Sequence, residues 1–281
     1  MMEIKRDGAV IRYTITGKGK TTLLFVHGSY MDQSCWNEQV AFFSSDYTVV
    51  TMDLPGHGHS GLERNHWSTQ GFAEDVIVLI NDLRLKNVIL IGHSLAGAIN
   101  LMAATQYPEP ILGFIGIDTF KNAGMPLPAE YQNQTQTILQ NLKISFENTN
   151  EQYARMALLT ANTPAEIVEK VVDAYRDAYQ PMGMEITPQV FNMYETERKL
   201  LPLLHFKLHL VNVEYIPTNE TALKKWTTCG YQVYHMNGTC HYPMLENPGE
   251  LNEILQTIIS SVMRHGHQKN LSTTLQNLLL V

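Results

Sequence analysis

The chain has 281 residues, 44% of them hydrophobic, and a formal net charge of −7. That length and apolar content build a full core, while the acidic balance and scattered basic residues argue against a nucleic-acid partner. Three cysteines, Cys35, Cys229 and Cys240, make no disulfide framework, no apolar run nears a bilayer span, and the opening residues lack a secretory h-region, so a cytoplasmic protein with no membrane span is expected.

Residues 9 to 15 and 22 to 26 read as strands of an N-terminal hairpin or meander, with Gly17-Lys18-Gly19-Lys20 as the turn. The second strand ends in His27-Gly28-Ser29-Tyr30, a turn able to present backbone N–H groups. Residues 47 to 52 read as a further strand, closing in Asp53-Leu54-Pro55-Gly56-His57-Gly58-His59-Ser60. Residues 68 to 83 carry Phe72, Val76, Leu79, Ile80 and Leu83 at helical spacing. The apolar run 87 to 91 is a buried strand, and Gly92-His93-Ser94-Leu95-Ala96 carries it into a helix-like run. Residues 111 to 117 form another strand, ending at Asp118.

The character then changes. Residues 121 to 203 are helical in pattern, rich in Gln, Asn, Glu and Met and punctuated by prolines. They read as a helical segment, the cap of the family resemblance given below, with helix starts at Asn162-Thr163-Pro164-Ala165-Glu166 and Thr187-Pro188-Gln189. The sheet resumes at 207 to 212 and 231 to 236. A last helix begins after Asn247-Pro248-Gly249-Glu250, and residues 266 to 281 form a C-terminal tail. Buried strands ending in glycine-rich turns and alternating with helices indicate an α/β fold, a mostly parallel sheet flanked by helices. The core is then 1–120 with 204–265, and the helical cap is 121–203.

Ser94 carries the chemistry. On a sharp strand-to-helix turn, a serine hydroxyl is held out of the sheet, and small residues two before and two after it relieve the crowding. Ala96 stands where the usual pattern has glycine. Alone the pattern is weak, since it also fits a serine at a tight turn or an N-cap.

Together with His27-Gly28, the Asp53-to-Ser60 turn and the late Gly238-Thr239-Cys240-His241, in this order and spacing, the chain resembles the α/β-hydrolase family over roughly residues 3 to 262. The resemblance implies a Ser-acid-His hydrolase with a helical cap inserted into the core. His241, on the loop after the last core strand, is the expected base. His27, His57 and His93 resemble structural positions, with His93 buttressing the elbow. The acid has two candidates. The family places it most often after the seventh core strand, where Glu214 stands and Tyr215 takes the matching position. A minority place it after the sixth, where Asp118 stands. Its clean strand register favours Asp118 slightly; Glu214 requires a shift. The expected oxyanion hole is the backbone N–H of Leu95 and one in the turn at Ser29.

A serine hydroxyl needs a base to take its proton, and the base needs a carboxylate to fix its tautomer. No cofactor and no metal is expected, because no His/Cys cluster has ligand spacing. A serine at the elbow also sets the chain apart from haloalkane dehalogenases and epoxide hydrolases of this fold, which use aspartate there. Met125, Met156 and Met184, with Leu158, Leu159, Met182, Met193 and Tyr194, are candidates for an adaptable cap wall, and Tyr30 for a contact from the core. Without a basic cluster in the cap, the expected substrate is a small to medium uncharged ester or lactone. A slow small-ligand receptor on the same fold, and a carbon–carbon bond hydrolase or lyase, are the rival readings.

Overall fold

The structure is a computed structural model that describes residues 1–278, with the side chains of residues 1–264. The strands are β1 (Met2–Arg6), β2 (Ala9–Thr16), β3 (Thr22–Val26), β4 (Thr48–Asp53), β5 (Val88–His93), β6 (Ile111–Ile117), β7 (Leu208–Val213) and β8 (Tyr231–Met236). Among the described residues they form one sheet in the order β1-β2-β4-β3-β5-β6-β7-β8. From β4 to β8 every pairing is parallel, and β1 and β2 join antiparallel at one edge.

The central strands are apolar throughout because both faces are covered. Alternate residues serve opposite cores. Leu24, Val26, Leu90 and Phe114 pack with Phe72, Val76 and Leu79 of α2 (Thr69–Asp82) and Ile99 and Met102 of α3 (Leu95–Gln106). Leu23, Phe25, Ile89, Ile91, Ile115 and Val211 face the other way. They meet Phe43 of α1 (Asn37–Phe43) and Leu251, Leu255 and Ile258 of the last helix. Each fully buried side chain of this size contributes about 1.5–3 kcal/mol. Helix α2 starts where Ser68 accepts from the Gly71 N–H at 2.9 Å, a side-chain cap.

Between β6 and β7 lies an insert of helices: α4 (Ala129–Ile144), α5 (Phe146–Tyr153), α6 (Ala165–Arg176), α7 (Gln180–Phe191) and α8 (Tyr194–Leu200). The sheet side is completed by α9 (Glu220–Trp226), α10 (Pro243–Glu246) and α11 (Pro248–Leu278). The backbone of α11 runs into the segment expected as a tail; residues 279–281 lie outside the described residues.

Two local expectations are corrected. The 9–15 strand does not pair with 22–26. Instead β2 pairs with β1 across an Asp7-Gly8 turn and with β4, while β3 sits between β4 and β5. Both turn residues have positive φ, 49° and 80°, the geometry of a tight two-residue hairpin. Likewise Thr187-Pro188 does not start a helix: α7 begins at Gln180, with Pro181 in its first turn and Pro188 inside.

Candidate active site

Ser94 stands between β5 and α3 at φ 53°, ψ −116°. A non-glycine residue there costs on the order of 1–3 kcal/mol, and surrounding structure must hold it. The Ser94 N–H donates to Ile117 O at 3.0 Å, anchoring the elbow to the adjacent strand end. A side chain at Gly92 would lie 2.5 Å from Asn100 Nδ2 and 2.7 Å from Ala96 O, so the first small residue of the motif is required by contact. Ala96 is fully buried in the glycine position of the usual pattern.

One strand over, Asp118 follows β6 with φ 43°, and its N–H donates to Val211 O at 2.8 Å. Its carboxylate reaches the His241 ring, whose Nδ1 lies 2.6 Å from Asp118 Oδ2. On the other oxygen, Oδ1, it accepts from the Val213 N–H at 3.1 Å and from Lys121 Nζ at 2.8 Å. Burial alone would raise this carboxyl, but the bond and charge of His241 and the Lys121 ammonium outweigh it and hold it down at about 2. Glu214 points elsewhere: it pairs with His235, and both side chains are more than a third exposed. Of the two acid candidates, only Asp118 is brought to the imidazole.

The His241 main chain is held from two sides. Its N–H donates to Leu158 O of the insert at 3.0 Å, and its carbonyl accepts from His93 Nε2 at 2.8 Å. Burial, then the neighbouring His241, push the His93 pKa well down, so this buttress is a neutral ring. Tyr215, on the loop after β7, puts its hydroxyl 3.2 Å from His241 Nδ1.

Ser94 and His241 line one cavity of about 180 Å³, together with Ser29 and Tyr30. Among the described residues no direct hydrogen bond joins the Ser94 hydroxyl to the ring; catalytic contacts of this kind are often loose before substrate binds. With Nδ1 committed to Asp118, Nε2 is the nitrogen left for the serine. Leu95 opens α3, so its N–H has no partner within the helix. The Ser29 turn comes close because residue 28 is glycine; a Cβ there would lie 2.6 Å from His93 Nδ1 and 3.2 Å from Ser94 Cβ.

The far wall differs in part from expectation. Leu158 of the insert lines the cavity as expected, joined by Tyr153, Tyr175, Phe191 and Asn150. Met125, Met156 and Met184 do not. Met156 is 85% exposed, Met125 lines a separate cavity of about 160 Å³ with Glu197, and Met184 is half-buried outside both. Val190 and Phe191 border both cavities. Among the described residues the cavity wall carries no Asp, Glu, Lys or Arg side chain, and no group of three or more His, Cys, Asp or Glu is arranged to hold a metal ion. No helix there is long and apolar enough to cross a membrane. Sequence reasoning passes over Lys121, Tyr153 and Tyr175; the one available signal is Lys121 three residues after a candidate acid.

Known proteins share this fold. A model described as "Alpha/beta hydrolase family" matches residues 23–254. A Haemophilus influenzae protein with an esterase/lipase designation is 27% identical over 236 residues, 80% of this chain and 78% of its own. A human protein named epoxide hydrolase 4 is 30% identical over 120 residues, 42% of this chain and 33% of its own. Among solved structures, an esterase from Thermogutta terrifontis superposes with a TM-score of 0.76 at 19% identity, covering 93% of this chain and 99% of that one. An N-acyl homoserine lactone degrading enzyme, Est816, gives 0.73 at 19%, covering 91% and 99%. At such identities these two structures establish the likeness of fold.

Proposed function

The chain belongs to the alpha/beta hydrolase family, and from that premise we propose that it is a serine hydrolase working through an acyl-enzyme on a small to medium uncharged ester or lactone. The observation that carries this reading is the His241 imidazole, bonded to the buried Asp118 carboxylate and lining one cavity with the strained Ser94 elbow.

The steps follow from the groups present. Ser94 Oγ attacks the substrate carbonyl carbon while His241 Nε2 takes the hydroxyl proton. Asp118, ionised at any pH above about 2, accepts from Nδ1 and stabilises the imidazolium that forms. The carbonyl oxygen becomes an oxyanion facing the N–H groups of Leu95 and Ser29. The imidazolium then gives its proton to the departing alkoxide, and water attacks the acyl-enzyme with His241 again as base. An aspartate nucleophile, needed for the epoxide route, is absent from position 94.

Substrate size and charge are read from the cavity. A wall without formal charge would leave an ionic acyl group unpaired in a buried site, so uncharged substrates are favoured. About 180 Å³ suits one compact group such as a short or single-ring acyl chain.

The test is covalent labelling with a fluorophosphonate plus turnover of short p-nitrophenyl esters, each with Ser94→Ala as control. Labelling and turnover that both vanish in the variant support the reading. Turnover that survives the substitution removes Ser94 as nucleophile. Tight ligand binding by a wild-type protein without turnover would favour a receptor.

A further inference from the structure

The Asp118 carboxylate is more fully engaged than a triad acid needs to be. Its Oδ2 receives His241 Nδ1 at 2.6 Å, and its Oδ1 receives the Val213 N–H and Lys121 Nζ. The Tyr215 hydroxyl stands beside this group, 3.2 Å from His241 Nδ1; because that nitrogen already gives its proton to Asp118, the Tyr215 proton is left to turn toward the neighbouring carboxylate. Burial and then the Asp118 charge push the Tyr215 hydroxyl far up, as expected of a donor facing an anion. A carboxylate offers about four lone-pair sites, of which His241, Val213 and Lys121 occupy three, with the Tyr215 hydroxyl close by.

Lys121 is equally committed. Its ammonium gives one contact to Asp118, one to Ile216 O at 2.8 Å and one to Val213 O, which uses all three donors. The side chain is 17% exposed, and its charge lies 5.4 Å over the Tyr215 ring. One cation therefore fastens the loop carrying Tyr215 to the acid beside it.

From this geometry we infer that Lys121 and Tyr215 are positioning residues of the catalytic base. They clamp the Asp118 carboxylate and fix the direction of the His241 ring. The inference rests on the serine-hydrolase reading for its kinetic consequence, though not for the ring titration.

The groups facing the imidazole are Asp118, Tyr215, Ser94, His93 and Tyr242. Burial keeps His93 neutral, and it raises the Tyr215 and Tyr242 hydroxyls, so Asp118 is the charged one at neutral pH. The Glu214–His235 pair lies one residue before Tyr215 and is left in place by the variants below. Removing the Lys121 cation makes the surroundings more negative and favours the imidazolium. The expected shift of the ring is upward, by roughly one pH unit.

The experiment follows the His241 ring by NMR across pH in the wild type, Lys121→Met and Lys121→Arg, alongside pH profiles of kcat/KM. In Lys121→Met the ring titration and the acid limb should both move up by roughly one unit, with kcat lower by about 10- to 100-fold and KM within about threefold. Lys121→Arg keeps the charge and should return the limb to its wild-type position. Tyr215→Phe should lower kcat several-fold with little movement of the limb. If Lys121→Met does not fold, as judged by circular dichroism, Lys121→Gln takes its place under the same expectation. An unmoved titration with kcat within about twofold of wild type overturns the inference while leaving the serine reading intact. If the wild type neither labels nor turns over, that reading falls, and the ring titration still decides the role of Lys121.

Discussion

Replacing Asp118 by Asn tests the acid, and the structure dictates how the variant should fail. Two donors, Lys121 Nζ at 2.8 Å and the Val213 N–H at 3.1 Å, converge on the Oδ1 position. An asparagine there must turn its oxygen toward them, which points its NH₂ at His241 Nδ1. That nitrogen must then accept, so the ring proton moves to Nε2, and the base cannot take a proton from Ser94. The expected loss is about 10⁴-fold in kcat, roughly 5 kcal/mol of barrier. Stability should fall as well. A carboxyl held at about 2 against 3.8 in the free state is depressed by folding. Its contribution is present above pH 4 and lost as the pH drops from about 4 to about 2, and it amounts to about 2 kcal/mol at pH 7. The assays are p-nitrophenyl butyrate turnover and thermal melting at pH 7, with Glu214→Gln as comparison. Glu214 makes an exposed pair with His235, so its change should cost under about threefold in rate. An Asp118→Asn variant within about tenfold of wild type, or a larger loss at Glu214, would refute the assignment.

Burial pushes the Glu197 carboxyl up to about 7, although it accepts from the Gly124 N–H at 2.8 Å. Folding raises this pKa, so stability is full below about pH 4.5 and declines as the pH rises through 7. Glu197→Gln should melt like wild type at pH 4.5 and gain about 3 kcal/mol at pH 8, and a gain independent of pH would contradict the burial argument. Phe191 borders both cavities, so Phe191→Ala should join them and favour longer acyl esters. Each added methylene that finds room is worth about 0.8 kcal/mol, roughly fourfold in kcat/KM, and a chain-length series that stays flat would rule the connection out. Gly28→Ala would force a methyl against His93 and Ser94, displacing the turn that carries the Ser29 N–H. A loss of about 100-fold in kcat is expected, and near-normal turnover would remove that turn from the oxyanion hole.

The parts legible in the sequence are those whose physics is local. A strand buried on both faces reads as an unbroken apolar run, so β5 and β6 stand out, and the turns at their ends carry Ser94 and Asp118. The half-buried β8 is legible from its β-branched and aromatic residues, and His241 follows it. Pairing is not local. The β2 side chains alternate in burial whether the neighbour is β3 or β4, and nothing in Gly17-Lys18-Gly19-Lys20 says that the chain crosses over β4. The insert is harder still. Its methionines are spread over helices whose orientation is set by packing against the core. Met156 falls on the outer face, whereas Tyr153 and Tyr175, three and nineteen residues away, turn inward. At Glu214 and Asp118, the sequence offers two carboxylates on neighbouring strand ends. The difference between them is that Lys121 and the Val213 N–H converge on one of them.

The same hydrogen-bond geometry explains why the site tolerates two residues of positive φ on adjacent strands. Ser94 and Asp118 leave the regular strand conformation, yet each keeps its N–H bonded to the neighbouring strand, at Ile117 O and Val211 O. Conformational strain is therefore not compounded by an unpaired buried amide, which would add about 1–3 kcal/mol more at each position. The third member needs no such strain, because His241 is fixed by its own main chain, the N–H to Leu158 of the insert and the carbonyl to His93 beside the elbow. His93 thus ties the Ser94 turn to the backbone of His241. The insert therefore holds the loop that carries the imidazole, through the Leu158 carbonyl, as well as walling the cavity.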